Sequence, residues 1–138
     1  MGWEEMKIIA DTNVLVRAVV RDDVKQARAA SRILKEAELI AVTLPCLCEF
    51  VWVLQRVYDF ARQEIGEALE ALVDAGNVVV NRPAVEAGLE VFYAGGDFAD
   101  GLIAYEGSWL GGETFVSFDR KAVSLLVKRG QDARLLTS

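Results

Sequence analysis

The residues best suited to chemistry in this chain are five acids, Asp11, Glu49, Asp97, Asp100 and Asp119, spread over 138 residues that contain no histidine. Without imidazole, Ser-His-Asp and Cys-His triads and histidine-based zinc sites are excluded, so hydrolysis would have to use carboxylates, metals or lysine. Asp97 and Asp100 are three apart, a spacing that puts two carboxylates on one helical face, where they repel unless a cation lies between them. Several carboxylates sharing one cleft cannot all ionise without compensating charge, and hard oxygen donors suit Mg2+ or Mn2+. Each aspartate also has a plain structural use. Asp is a favoured helix N-cap, stabilised by the positive end of the helix dipole, and Asp97 with Asp100 is a near relative of the capping box. Capping accounts well for one of that pair and less well for both.

Glu49 resists the capping explanation because it interrupts the apolar stretch at residues 44–54. A carboxylate buried there is costly unless it is paired, protonated or metal-bound. Two readings stand side by side: an ion pair with Arg17, Arg56 or another arginine, or a place in a metal-binding cleft.

The elements that must position these acids follow from the periodicity. Residues 7–10 form a short apolar run that ends at Asp11, after which Val14, Leu15, Ala18 and Val19 recur at helical spacing. Residues 24–37 are an amphipathic helix, on which Lys25, Arg28, Arg32 and Lys35 read as a solvated face. A second strand at 39–42 leads to Pro45, which suits the first turn of a helix running through Arg56. A helix over 60–75 closes at Gly76 and Asn77. A strand at 78–80, helices at 84–94 and 98–110, a strand at 114–118, a helix at 122–128 and a strand at 133–136 complete the chain. Short apolar strands alternating with helices imply a three-layer α/β/α sandwich with a central, mostly parallel sheet of about five strands. The carboxyl ends of such strands form one rim, which is where Asp11 and Asp119 are expected to share a cleft.

Taken in order, Asp11-Thr12-Asn13 after the first strand, Glu49 in an apolar helix, Asp97-Phe98-Ala99-Asp100 opening a helix and Ser117-Phe118-Asp119 after the fourth strand resemble the successive motifs of PIN-domain ribonucleases. The resemblance runs the length of the chain. It implies that Asp11, Glu49, Asp100 and Asp119 are the acidic catalytic and metal-binding set, with Asp97 as a further ligand or outer acid. It implies hydrogen-bonding support from Thr12, Asn13 and Ser117, and Mg2+ or Mn2+ as cofactor. The implied reaction is hydrolysis of RNA to a 5′-phosphate and a 3′-hydroxyl, with Arg17, Arg21 and Lys25 as cations that could steer the backbone. Gly101 departs from the alanine expected at that position, and glycine inside a helix is about 1 kcal/mol less favourable than alanine. A small domain of this kind is similar to the VapC toxins of VapBC toxin–antitoxin pairs, which implies a small antitoxin that covers the cleft and a homodimer.

Composition sets the remaining bounds. With 53% hydrophobic and 26% charged residues, the chain is expected to fold as a single domain over 1–138, without linker or repeat. The longest nearly uncharged run, 39–54, falls short of a bilayer span, and no secretory pattern opens the chain, so a cytoplasmic location is expected. Cys46 and Cys48 diverge on a helix, which disfavours a disulfide or a zinc pair and leaves them as small buried residues. The net charge of −6 argues against binding nucleic acid through a basic surface but not against a metal-loaded nuclease. Two rivals remain. One is a haloacid-dehalogenase-like phosphatase with Asp11 as nucleophile, which Asn13 weakens by standing where a second Asp is needed. The other is a non-catalytic binding module on the same fold, with the acids used as caps and ion pairs.

Overall fold

The computed structural model describes residues 2–137, which divide after Asn81 into two compact units. The first unit opens with a 3-10 turn, Trp3–Glu5. It continues through β1 (Lys7–Ile9), α1 (Thr12–Val19), α2 (Val24–Glu36), β2 (Leu39–Ala41), α3 (Leu44–Arg56), α4 (Arg62–Asp74) and β3 (Val78–Val79). Its sheet has the order β1-β2-β3. Both pairings are parallel, with Ile8 opposite Ile40 and Ile40 opposite Val78, and a pair of helices bridges each step, as parallel connections require.

Local chemistry fixes the helix ends in this unit. The Asp23 carboxylate accepts from the Gln26 amide at 3.0 Å and starts α2. At the other end, Asn77 Nδ2 donates to the carbonyls of Leu34 (2.9 Å) and Ala37 (3.0 Å), satisfying acceptors that a helix terminus leaves open. Thr43 caps α3 by accepting from the Cys46 amide at 3.4 Å, and proline occupies the first turn. The buried face of α3 is Cys46, Leu47, Phe50, Val51 and Leu54, a stripe of helical period. Burial of a side chain such as Phe50 or Leu54 contributes about 1.5–3 kcal/mol.

The second unit comprises α5 (Arg82–Tyr93), α6 (Phe98–Trp109), β4 (Phe115–Ser117), α7 (Arg120–Lys128) and β5 (Ala133–Leu135). β4 and β5 are parallel, with Phe115 opposite Ala133. Val91, Ala104 and Leu126 form a buried cluster, against which Phe115, Leu125 and Ala133 pack. The packing of α5 on α6 depends on glycine. A Cβ on Gly101 would lie 2.5 Å from the Ala87 carbonyl oxygen and 3.0 Å from Gly88 Cα, and one on Gly88 would lie 2.7 Å from the Phe98 ring. Gly101, expected from helix propensity to weaken α6, instead stands where alanine does not fit, so close approach of the two helices outweighs helix propensity.

The α/β class holds, and all five expected strands are present, each paired parallel within its own sheet of three or of two. Boundaries shift by no more than two residues, and the larger shifts have identifiable reasons. The helix expected from residue 60 begins at Arg62 because Glu64 reaches back to the Ala61 amide at 2.9 Å, and α7 begins at Arg120 because Asp119 caps it. Among the described residues, no helix is long and apolar enough to cross a membrane.

Candidate functional site

In the first unit, Asp11 stands at the N-cap of α1, but its carboxylate makes no capping hydrogen bond. It is exposed. Beside it lies Cys46, a buried thiol of α3 that donates to the Ala10 carbonyl at 3.6 Å and accepts from the Thr12 hydroxyl at 3.6 Å. Burial pushes the Cys46 thiol up from its ordinary pKa, the Thr12 hydroxyl pulls it down, and the charges of Asp11 and Glu49 push it up further. Both carboxylates therefore lie within electrostatic reach of one sulfur. Thr12, itself buried, spends its hydroxyl on that sulfur, so its contribution is to tie the start of α1 to α3. Asn13 is exposed, and its amide has no hydrogen-bond partner among the described residues.

Glu49 departs from the burial expected of it. It is exposed, because Pro45, Glu49 and Trp52 form the stripe of α3 opposite its buried face. Its carboxylate is solvated and carries no burial cost that a cation must offset. The ion-pair reading fails as well, since Arg17 pairs with Asp22 at 2.6 Å and no ion pair joins Glu49 to an arginine among the described residues. Arg21 donates to Ser31 Oγ at 3.4 Å, and Lys25 is exposed on α2. Neither Cys46, which is buried, nor Cys48, which is half-buried, is in a disulfide.

In the second unit, Asp97 and Asp119 both bear electrostatically on Asp100. Asp97 caps α6 by accepting from the Ala99 amide at 3.2 Å through Oδ1. Asp119 caps α7, and its Oδ1 accepts from the amides of Lys121 (2.9 Å) and Ala122 (3.2 Å). The Ser117 hydroxyl accepts from the Asp119 amide at 2.9 Å and so fixes the turn that presents this acid. Asp100, in the first turn of α6, is half-buried. Burial, and then the charges of Asp97 and Asp119, raise its carboxyl above the usual carboxylate range. No hydrogen bond or ion pair compensates it among the described residues.

Capping and metal binding are therefore compatible. Each cap uses one carboxylate oxygen, which leaves Oδ2 of Asp97 and of Asp119 free of any described partner. Asp100 does not complete a capping box. Its amide donates to the Asp97 carbonyl at 3.1 Å, as in any helical first turn, and its carboxylate is unspent.

A PIN domain model matches residues 8–124 of the chain. The chain belongs to the PIN domain family. PIN domains are generally metal-dependent nucleases, and the matched segment of this one contains all five acids together with Thr12, Asn13 and Ser117. The family assignment removes the haloacid-dehalogenase-like alternative. Comparison with curated proteins finds no match. Among the described residues of this PIN domain, no three cysteine or acidic side chains are gathered into a ready coordination shell. What the residues do supply is donor chemistry: exposed or half-buried carboxylate oxygens, several without a partner, which suit a hard divalent cation such as Mg2+ or Mn2+. The sequence reading missed Trp3 and Gln26, two polar-tipped residues that line a cavity of the first unit. No motif marks them, and only the packing of the 3-10 turn against α2 reveals their association.

Proposed function

We propose that this PIN domain is a divalent-metal-dependent ribonuclease that hydrolyses RNA phosphodiester bonds, and that it is the toxin of a VapBC-type pair. The observation that carries the reading is Asp100, a half-buried acid whose charge two neighbouring acids disfavour and no described group compensates. A structural carboxylate would be expected to have found a cation or a set of amides. A carboxylate left in this condition is suited to a metal that arrives with the reaction.

Asp11 and Glu49 in the first unit, and Asp97, Asp100 and Asp119 in the second, are the residues that would hold Mg2+ or Mn2+. When bound, the cation would supply positive charge to the phosphodiester and help acidify the attacking water. The chain's own residues do the positioning. Asp119 is held by Ser117 and by the α7 amides it caps, Asp97 by its cap on α6, and Asp11 by the turn between β1 and α1. Arg21 and Lys25 are the cations that would steer the RNA backbone, while Arg17 is held by Asp22. A single nuclease domain covering both units is part of this proposal. So are a homodimer, a small antitoxin whose cationic side chain offsets the acids, and a cytoplasmic location.

The test is cleavage of a panel of RNAs by purified protein with and without Mg2+ or Mn2+. Asp11→Asn and Asp100→Asn are each expected to abolish cleavage while circular dichroism stays native, and excess chelator to stop the wild type. Full activity in either variant, or in chelator, contradicts the proposal. The antitoxin is tested separately, by co-purification with the product of a short neighbouring reading frame.

A further inference from the structure

A cavity of about 480 Å³ opens in the first unit beside the 3-10 turn and the first two helices. Val14 and Ile33 line it on the apolar side, and Trp3, Asn13, Gln26 and Arg17 bring polar atoms to it. The volume falls in the range of small-ligand sites. The charged residue of its lining, Arg17, is paired through its guanidinium with Asp22 at 2.6 Å. That pairing argues against a phosphate and for an uncharged group. Trp3, Asn13 and Gln26 make no side-chain hydrogen bond among the described residues, so an indole N–H and two amides are open to a ligand.

A flat apolar ring, amides that both donate and accept, and a cation that is already paired match the demands of one kind of molecule. Single-stranded RNA is read by stacking its splayed bases on aromatic rings and by hydrogen bonds to their edges. We infer that this cavity is a nucleobase subsite, in which Trp3 stacks on one base of the RNA while Gln26 and Asn13 read its edge. The inference rests on the ribonuclease reading for its substrate. Asn13 is two residues from Asp11 at the start of α1, a spacing at which helical side chains diverge, so a base held here lies to one side of the acid proposed for cleavage and not against it. The subsite would thereby select a base near the cut rather than the one at it.

The inference is tested by fluorescence in a Trp52→Phe, Trp109→Phe protein, in which Trp3 is the sole indole. Both replaced residues are exposed, at 56% and 76%, so the core is untouched. The titrants are four homopolymeric tetraribonucleotides and an abasic tetramer, in excess chelator so that nothing is cleaved. Saturable quenching by at least one base-bearing tetramer and none by the abasic one is expected. Gln26→Leu, at an exposed position, is expected to weaken that binding by about fivefold, and Trp3→Ala to weaken the binding of the same tetramer, followed by filter retention, by at least about fivefold. Absence of saturable quenching, equal quenching by the abasic tetramer, or undiminished binding in both variants overturns the subsite. The measurement involves neither metal nor cleavage. Base binding without ribonuclease activity therefore removes the functional reading and keeps the subsite, and cleavage without base binding does the reverse.

Discussion

The two units carry their acids in opposite states. In the first, Asp11 and Glu49 are exposed and act together only on the buried Cys46 thiol, whose proton they help to retain. In the second, Asp97 and Asp119 bear on a third acid, Asp100, which is half-buried and uncompensated. Negative charge surrounded by water is cheap to keep, whereas charge concentrated beside more charge and partly withdrawn from water is not. The second unit is therefore where a divalent cation would recover the most free energy, and the first is where acids can be presented without strain on the fold.

The sharpest way to break this contrast is to neutralise one acid from each set. Asp100→Asn is expected to lower kcat/KM for RNA by roughly 100-fold or more, and Glu49→Gln by roughly tenfold. Steady-state cleavage assays decide it, and equal losses would erase the distinction between the sets.

A second comparison lies within α6. Gly101→Ala places a methyl group against the Ala87 carbonyl and is expected to destabilise by about 1–3 kcal/mol. Gly107→Ala, where a Cβ meets nothing within 4 Å, is expected to stabilise by up to about 1 kcal/mol. Urea denaturation of the two variants gives the signs directly, and a stabilising Gly101→Ala would refute the account of the helix contact.

The smallest effect concerns pH. Because the folded-state pKa of Asp100 is raised, the folded protein binds this proton more tightly than the unfolded chain does. Its ionisation then disfavours folding above the raised value, and the penalty fades as pH falls to the ordinary carboxylate range. In chelator at neutral pH, Asp100→Asn is expected to melt about 1–3 °C above the wild type, with the gap closing as pH falls toward about 4. A gap that widens on acidification would mean the opposite sign of shift.

Much of this was legible from the chain. Strands and helices were readable because their apolar periods differ, and the caps because Asp97 and Asp119 sit where strand or loop gives way to helix, while Asp11 at the same kind of boundary makes no cap hydrogen bond. Glu49 was misjudged because apolar neighbours in sequence are not neighbours in space. On α3 the residues at 45, 49 and 52 share the outward face while 46, 47, 50, 51 and 54 turn inward. Gly101 was misjudged because its reason is a contact with another helix, which local propensity does not register. The unspent Oδ2 atoms of the capping aspartates were likewise invisible, since which oxygen caps is decided by geometry.

Titration of Mn2+ into wild-type and Asp100→Asn protein by calorimetry tests the central claim most directly. The wild type is expected to bind Mn2+, and the variant to bind it at least about tenfold more weakly. A wild type that takes up no Mn2+, or a variant that binds it with unchanged affinity, would contradict the assignment of these acids to a metal.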